Sequence, residues 1–314
     1  MKKTVKLLII SAILFLVGSM LFGIGIFIHL GAAEEIVENY TYTETADNLN
    51  IACDVDEYDI SFVFSDSAEA ITVEYAVIKN ARGKVISSSS VHESDGALII
   101  TGGTNEMLSI FDFSVDRKKI TVTLPSSREL GYRINASTGD VRFGNGVKAS
   151  AISVSTSTGD VIIGDSNIAG NLTVDVNTGD IGLIGDVFAD EIKLDGGVGD
   201  VTIHSAVRAD SLEVEVSTGD VLIMSNVDIS SIDIESSTGD IRATGVITSE
   251  EIEVETSTGD VSLTLLGERE LYSAKVRVST GRSNITSGGN GERVLDISVS
   301  TGDVNVTFKK LYDL

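Results

Sequence analysis

Tryptophan is absent from this 314-residue chain, cysteine and proline occur once each, and 23 lysines and arginines face 47 aspartates and glutamates. A single thiol, Cys53, cannot close an internal disulfide and has no companions for a structural zinc site. Stability must then come from packing and hydrogen bonds. The scarcity of cations leaves a formal net charge of −24, which repels nucleic-acid phosphates and attracts cations or basic partners. DNA and RNA binding are excluded on that ground. Also missing are a Gly-x-Ser-x-Gly elbow, a His-Glu-x-x-His pair, a Walker A loop and a Gly-x-Gly-x-x-Gly fingerprint after a strand. Glycine, in contrast, is plentiful at 31 residues, and its spacing carries most of what the sequence says.

Residues 1–30 hold Lys2, Lys3 and Lys6 and no acid, so the remainder carries −27. Residues 7–30 form an uncharged stretch of 24 residues, interrupted mainly by Ser11, Ser19 and His29. As a helix it spans about 36 Å, enough for a hydrocarbon core of about 30 Å with some tilt. Lysines before it and Glu34, Glu35 and Glu38 after it predict a single-pass cell-membrane protein with a cytoplasmic N-terminus and an extracytoplasmic C-terminal domain. Gly31-Ala32-Ala33 offers the competing reading of a cleaved signal peptide, whose apolar region runs only about 7–15 residues. The expectation is a signal-anchor over 1–30 and a tether over 31–46.

Beyond residue 125, Ser-Thr-Gly-Asp or a close variant returns with its glycine at Gly139, Gly159, Gly179, Gly199, Gly219, Gly239, Gly259, Gly281 and Gly302. The first seven are spaced by 20 residues and the last two intervals are 22 and 21, a period typical of stacked units. Positions seven and five before each glycine are apolar or aromatic, as are positions two and four after it, with Ser283 the exception. Alternation at period 2 on both sides of a turn means two short strands, each with one buried face. Frequent β-branched residues and the recurring glycine argue against helix. One unit cannot bury its apolar face alone, so units stack about 4.8 Å apart with parallel pairing. The fold class is all-β, a parallel β-helix or β-solenoid of about 20 residues per coil, preceded by one transmembrane helix. Each Thr-Gly pair suits a type II turn with φ > 0 at the glycine, and residues such as Ser166-Asn167-Ile168-Ala169 form a looser return.

Residues 47–125 read as the same architecture in irregular coils. Ile51, Cys53 and Val55 alternate, Tyr58-Asp59 stands where Gly-Asp would, and Ile60, Phe62 and Phe64 alternate again, as do Ile71, Val73, Tyr75 and Val77. Cys53 thus falls on the apolar face as an inert buried thiol. An insertion over 102–119 carries Met107, Leu108, Ile110, Phe111 and Phe113, which serve as a cap over the core or as an exposed contact site. Regular repeats fill 126–307, and residues 308–314 break the pattern and close the last coil.

The corners also align a column of carboxylates, Asp140, Asp160, Asp180, Asp200, Asp220, Asp240 and Asp260, resuming at Asp303. Like charges at one-coil spacing cost on the order of 1 kcal/mol per pair, so something must offset them. Backbone amides with solvent and salt are the preferred answer, which means no cofactor and no metal. Ca²⁺ bridging Asp160, Asp180, Asp200, Asp220, Asp240 and Asp260 is the alternative, although the nine-residue calcium repeat Gly-Gly-x-Gly-x-Asp does not occur. Polysaccharide lyases and hydrolases built on β-helices need converging polar groups on one outer face. Here no coil carries a distinctive His, Arg and Asp set, and His29, His92 and His204 lie far apart. No catalytic residue is assigned and the chain is not expected to be an enzyme.

On the reiterated Ser-Thr-Gly-Asp-Val corners and on Val122-Thr123-Leu124-Pro125 before the first regular coil, the chain resembles the bacterial putative-adhesin family of parallel β-solenoids. This domain-of-unknown-function family includes LiaG-like envelope proteins, and the resemblance covers residues 47–310. It implies a non-enzymatic, adhesin-like binding or scaffold module of the cell envelope, linked to envelope stress, with a cell-wall polymer or an envelope protein as partner. A self-associating β-helix polymer is the alternative. Arg282 and Gly196-Gly197-Val198 depart from the corner consensus.

Overall fold

The computed structural model describes residues 34–42, 49–79, 85–104 and 118–310. The expected membrane segment lies outside these residues, as do the apolar cluster between 107 and 113 and residues 311–314.

One coil shows the plan. Strand Leu172–Thr178 approaches the corner, Ile181–Leu183 leaves it, and Val187–Phe188 lies on the return. Leu172, Val174, Val176, Ile181, Leu183 and Val187 all point inward and are buried, as period-2 alternation requires. Each strand pairs in parallel with its equivalents one coil away: Val174 with Val154 and Leu194, Ile181 with Val161 and Val201, Val187 with Ser166 and Val207. A solenoid results, with identical positions in register. The return is not loose, because Ser166–Ile168 is itself a strand aligned with Val147, Lys148 and Ala149. Ser166 faces inward, and its buried hydroxyl donates to the Gly164 carbonyl at 2.8 Å. That local bond lets a polar residue occupy a core position and hides the third strand from a hydropathy pattern.

At the N-terminal end the topology changes. Strand Asn50–Ser65 forms the first parallel rung, pairing Ile51 with Tyr132 and Phe62 with Phe143. Its other side pairs in parallel with Ala97–Thr104 and Lys118–Pro125. Beyond these, the strands run antiparallel. Ile71–Lys79 lies between Lys118–Pro125 and Glu34–Tyr42, while Val85–Ser94 closes on Ala97–Thr104 through Asp95 and Gly96, both at positive φ. Two expectations change accordingly. Residues 47–125 are not a plain run of coils, and the expected tether over 31–46 contains a paired strand. Alternation has the same period in parallel and antiparallel ladders, so it cannot distinguish them. The insertion expected over 102–119 is also shorter, since Gly102 pairs with Val55 and Lys118 with Tyr58.

The C-terminal end departs from chain order. Strand Arg293–Thr301 sits between Glu251–Thr258 and Tyr272–Thr280, so the coil containing Gly281 is outermost and that of Gly302 slots beneath it. A 3-10 turn at Arg269–Leu271 precedes the outer strand, and Arg269 donates to the carbonyls of Tyr272, Thr286 and Gly288. Phe308 and Lys309 do not form a separate cap, because they continue strand Val304–Lys309 against Val261–Leu266. Residues 284–288 do the covering instead. Ala274 exchanges backbone bonds with Gly288, and the Asn284 side chain bonds both to the Val306 N–H, at 2.8 Å, and to the Val306 carbonyl, at 3.0 Å. Rings fill the core near both ends: Phe62 stacks on Phe143 at 4.4 Å with Tyr132 edge-on, and Tyr272 packs on Phe308 at 5.4 Å.

Candidate functional site

Every corner glycine has φ between 136° and 151°. The expected positive sign is present, but the angle lies past the roughly +80° of a type II turn. Close stacking accounts for this wider opening. A Cβ built on any of the nine would lie 1.8–2.2 Å from a carbonyl oxygen of the neighbouring coil's corner. Glycine is therefore required twice, by conformation and by space.

Three hydrogen bonds knit each corner to the next. The glycine N–H donates to the residue before the next coil's glycine, as Gly159 does to the Thr178 carbonyl at 2.9 Å. The N–H two residues on donates to the next aspartate carbonyl, as Val161 does to Asp180 at 2.9 Å. Running the other way, each aspartate N–H donates to Oδ1 of the preceding corner carboxylate. This ladder begins at Asp59, whose Oδ1 accepts the Asp140 N–H at 2.9 Å. It passes through Asp140, Asp160, Asp180, Asp200, Asp220, Asp240, Asp260 and Asp303 at 2.7–3.1 Å. Arg282 ends it, its N–H donating to Asp303 Oδ1 at 2.8 Å. Tyr58-Asp59 thus occupies a corner, as its place in the sequence implied.

A carboxylate that accepts a backbone N–H has its charge partly balanced by a fixed dipole. Arg142 and Arg242 add ion pairs to Asp140 and Asp240. The six aspartates of the calcium alternative are all within this ladder, each with one oxygen committed to the next coil's backbone. Among the described residues, no group of three or more His, Cys, Asp or Glu side chains is arranged to hold a metal ion.

A second ladder escaped the sequence reading. Asn145 Oδ1 accepts the Asp165 N–H at 3.1 Å, Asp165 that of Asp186 at 2.9 Å, and Asp186 that of Ala206 at 3.0 Å, while Asn226 accepts that of Val246 at 2.8 Å. Its signal is an Asn or Asp six or seven residues after four of the corner glycines, Gly139, Gly159, Gly179 and Gly219.

On the outer side of the strands before the corners, Asp175, Asp195, Glu215, Glu235 and Glu255 align in one column and Lys193, Glu213, Asp233, Glu253 and Asp296 in the next. Lys193 relieves Glu213, and Lys275 and Arg277 relieve Asp296. At mid-column, burial and then the charges of Glu213 and Glu255 push the Asp233 carboxyl above its ordinary range. Glu235 is raised too, by burial first and then by Asp233, Glu215, Glu255 and Glu253. A groove of about 280 Å³ lies on the return face, where Arg208 bridges Asp228 and the ring of Phe188. His92 lies in the antiparallel end and His204 in a regular coil, so the two histidines among the described residues are not brought together. Cys53 is buried, and burial pushes its thiol far up, out of reach of neutral-pH chemistry.

No curated protein matches the chain. Among solved structures it is similar to one described as a "putative adhesin" from Parabacteroides distasonis, with 16% identity over 87% of this chain and 97% of that one and a TM-score of 0.43. A "putative lipid binding protein" of the same species shows 16% identity over 88% and 98%, also at 0.43. A "putative cell adhesion protein" from Clostridium sporogenes shows 10% identity over 88% and 100%, at 0.34. Residues 48–307, from the first parallel rung to the last corner strand, match the model of one family along their whole length. The chain belongs to the Toastrack DUF4097 family.

Proposed function

We propose that the chain is a membrane-anchored, extracytoplasmic, non-enzymatic binding module of the bacterial cell envelope, adhesin-like in holding a partner without transforming it. The observation that carries this reading is the register of the outer surface. Asp175, Asp195, Glu215, Glu235 and Glu255 present the same chemistry once per coil, which suits a partner that repeats its own, such as a wall polymer, or a long basic face of an envelope protein. Residues 7–30 supply the anchor, and the LiaG-like resemblance supplies the link to envelope stress. In this reading the corner aspartates serve the backbone and no cofactor is needed. Self-association along the shaft is opposed by its charge, with 23 acidic and five basic residues over 140–267.

The test uses full-length protein in detergent micelles, mixed with isolated bacterial cell walls and pelleted. Co-sedimentation is expected, with no reducing ends released into the supernatant. Protein left wholly in solution would overturn the binding reading, and release of reducing ends would overturn the non-enzymatic one. Protease added to protoplasts should remove residues beyond 34 and spare the N-terminal lysines. Protection of the whole chain would reverse the orientation.

A further inference from the structure

Interior corners use their backbone donors on the next coil, but among the described residues no further coil follows the outermost one. Its equivalent donors are the Gly281 and Ser283 N–H groups, and no described residue accepts from either. Further back along the same edge, Ala274 is covered by Gly288, and Val276 by Ser287, whose Oγ accepts the Val276 N–H at 2.8 Å. Val278, the next residue facing that side, lacks such cover among the described residues. The Val276 and Val278 side chains end the apolar stack half-buried. The open edge therefore runs over residues 278–283.

Its charge is the reverse of the shaft's. Residues 272–283 carry Lys275, Arg277 and Arg282 and no acid. Lys275 and Arg277 share the single carboxylate of Asp296, each at 2.9 Å, and Arg282 is exposed with no ion pair among the described residues. Arg282 also inverts the corner chemistry. Every interior corner offers a carboxylate that accepts the next backbone N–H, whereas Arg282 offers only donors. A strand added here must bring the carboxylate itself.

We infer that this edge is a docking site for an extended acidic peptide segment, which adds as one further strand. Its backbone carbonyls would take the Gly281 and Ser283 N–H groups, an apolar side chain would cover Val278, and its carboxylate would meet Arg282. The site lies at the tip, apart from the acidic columns, so it goes beyond the wall-binding reading and can fail separately from it.

The experiment is fluorescence anisotropy of full-length protein in detergent micelles with two end-blocked, labelled peptides, Val-Glu-Val-Asp-Val-Thr and its Gln/Asn analogue. Wild type should bind the acidic peptide about tenfold more tightly. Arg282→Gln should abolish that preference, as should raising NaCl to about 0.5 M, while wall co-sedimentation of the variant stays unchanged. Equal affinity of wild type for both peptides, no binding of either, or an undiminished preference in Arg282→Gln would overturn the inference. So would sedimentation of the peptide-free protein as a dimer or filament, which would put a second copy at the tip.

Discussion

Replacing Gly219 by alanine tests a tightly constrained corner in the middle of the stack. Gly219 has φ 147°, and an added Cβ would stand 1.9 Å from the Gly199 carbonyl oxygen and 2.6 Å from its carbon. Ordinary contact begins near 3.4 Å, so the two coils must part by more than about 1 Å or the corner must refold. Parting them breaks three bonds: Gly199 N–H to the Thr218 carbonyl at 2.9 Å, Val201 N–H to the Asp220 carbonyl at 2.9 Å, and Asp220 N–H to Asp200 Oδ1 at 2.8 Å. At about 1 kcal/mol each, plus about 1–2 kcal/mol for the left-handed backbone, the cost is about 4–5 kcal/mol. The melting temperature should fall by about 10 °C, since a chain this size loses roughly 2–4 °C per kcal/mol. Gly196→Ala is the internal control. That glycine is buried at ordinary φ, and its Cβ would meet Val201 and Val216 methyls at a comfortable 3.7 Å. Removing a glycine there should stabilise by about 0.4–1 kcal/mol. Denaturant titration followed by circular dichroism reads both variants. A loss below about 1 kcal/mol for Gly219→Ala, or a larger loss for Gly196→Ala, would refute the argument from space.

Asp220→Asn keeps an oxygen for the Asp240 N–H and should leave stability nearly unchanged, whereas Asp220→Ala should lose about 1 kcal/mol. Wild type should melt at the same temperature in millimolar Ca²⁺ as in Na⁺ of matched ionic strength, and a Ca²⁺-specific rise of more than about 5 °C would return the corner column to the calcium reading. Asp233 and Glu235 both titrate above their ordinary values. The folded state therefore binds protons that the unfolded state releases, and their contribution to stability is full below the unfolded values and lost as pH rises through the folded ones. Melting temperature should climb as pH falls from 7 toward about 4.5, and Glu235→Gln should gain part of that climb at pH 7. A decline on acidification across that range, with no gain in the variant, would contradict the assignment. Cys53 should resist maleimide in the native protein and react only with unfolding, which mass spectrometry across a denaturant series can follow; labelling in buffer would show that the first rung opens locally.

The corners were legible because glycine and aspartate each do there what no other residue does as well. The period, the inward positions and even the substitute corner at Tyr58-Asp59 follow from that. The ends were not legible, for a different reason in each case. Ile71, Val73 and Tyr75 alternate in the same way whether their neighbours run parallel or, as Lys118–Pro125 does, antiparallel. The coils of Gly281 and Gly302 have interchangeable strands, so the intervals of 22 and 21 announce longer connections without saying which coil enters the stack first. The second ladder was missed because Asn145, Asp165 and Asn226 look like ordinary turn residues until their carbonyl or carboxylate oxygens are seen to reach the next coil.

At Arg282 the sequence repeat and the end of the stack coincide. In sequence it is a defect in a repeated motif, and in the stack it stands where the motif has no further partner. Corner carboxylates work in one direction, each presenting an acceptor to the coil that follows in space. Such a ladder needs a first member that offers an acceptor and a last member that needs to offer none. Asp59 is the first, although its neighbour Tyr58 breaks the glycine rule, and Arg282 is the last, although Gly281 before it keeps that rule. An aspartate at 282 would leave an acceptor facing outward beside unpaired strand donors, the arrangement that invites a further coil from another molecule. A guanidinium there offers the backbone N–H of an ordinary Gly-Asp corner no acceptor. The same substitution that ends the stack therefore also selects what can still be added to it.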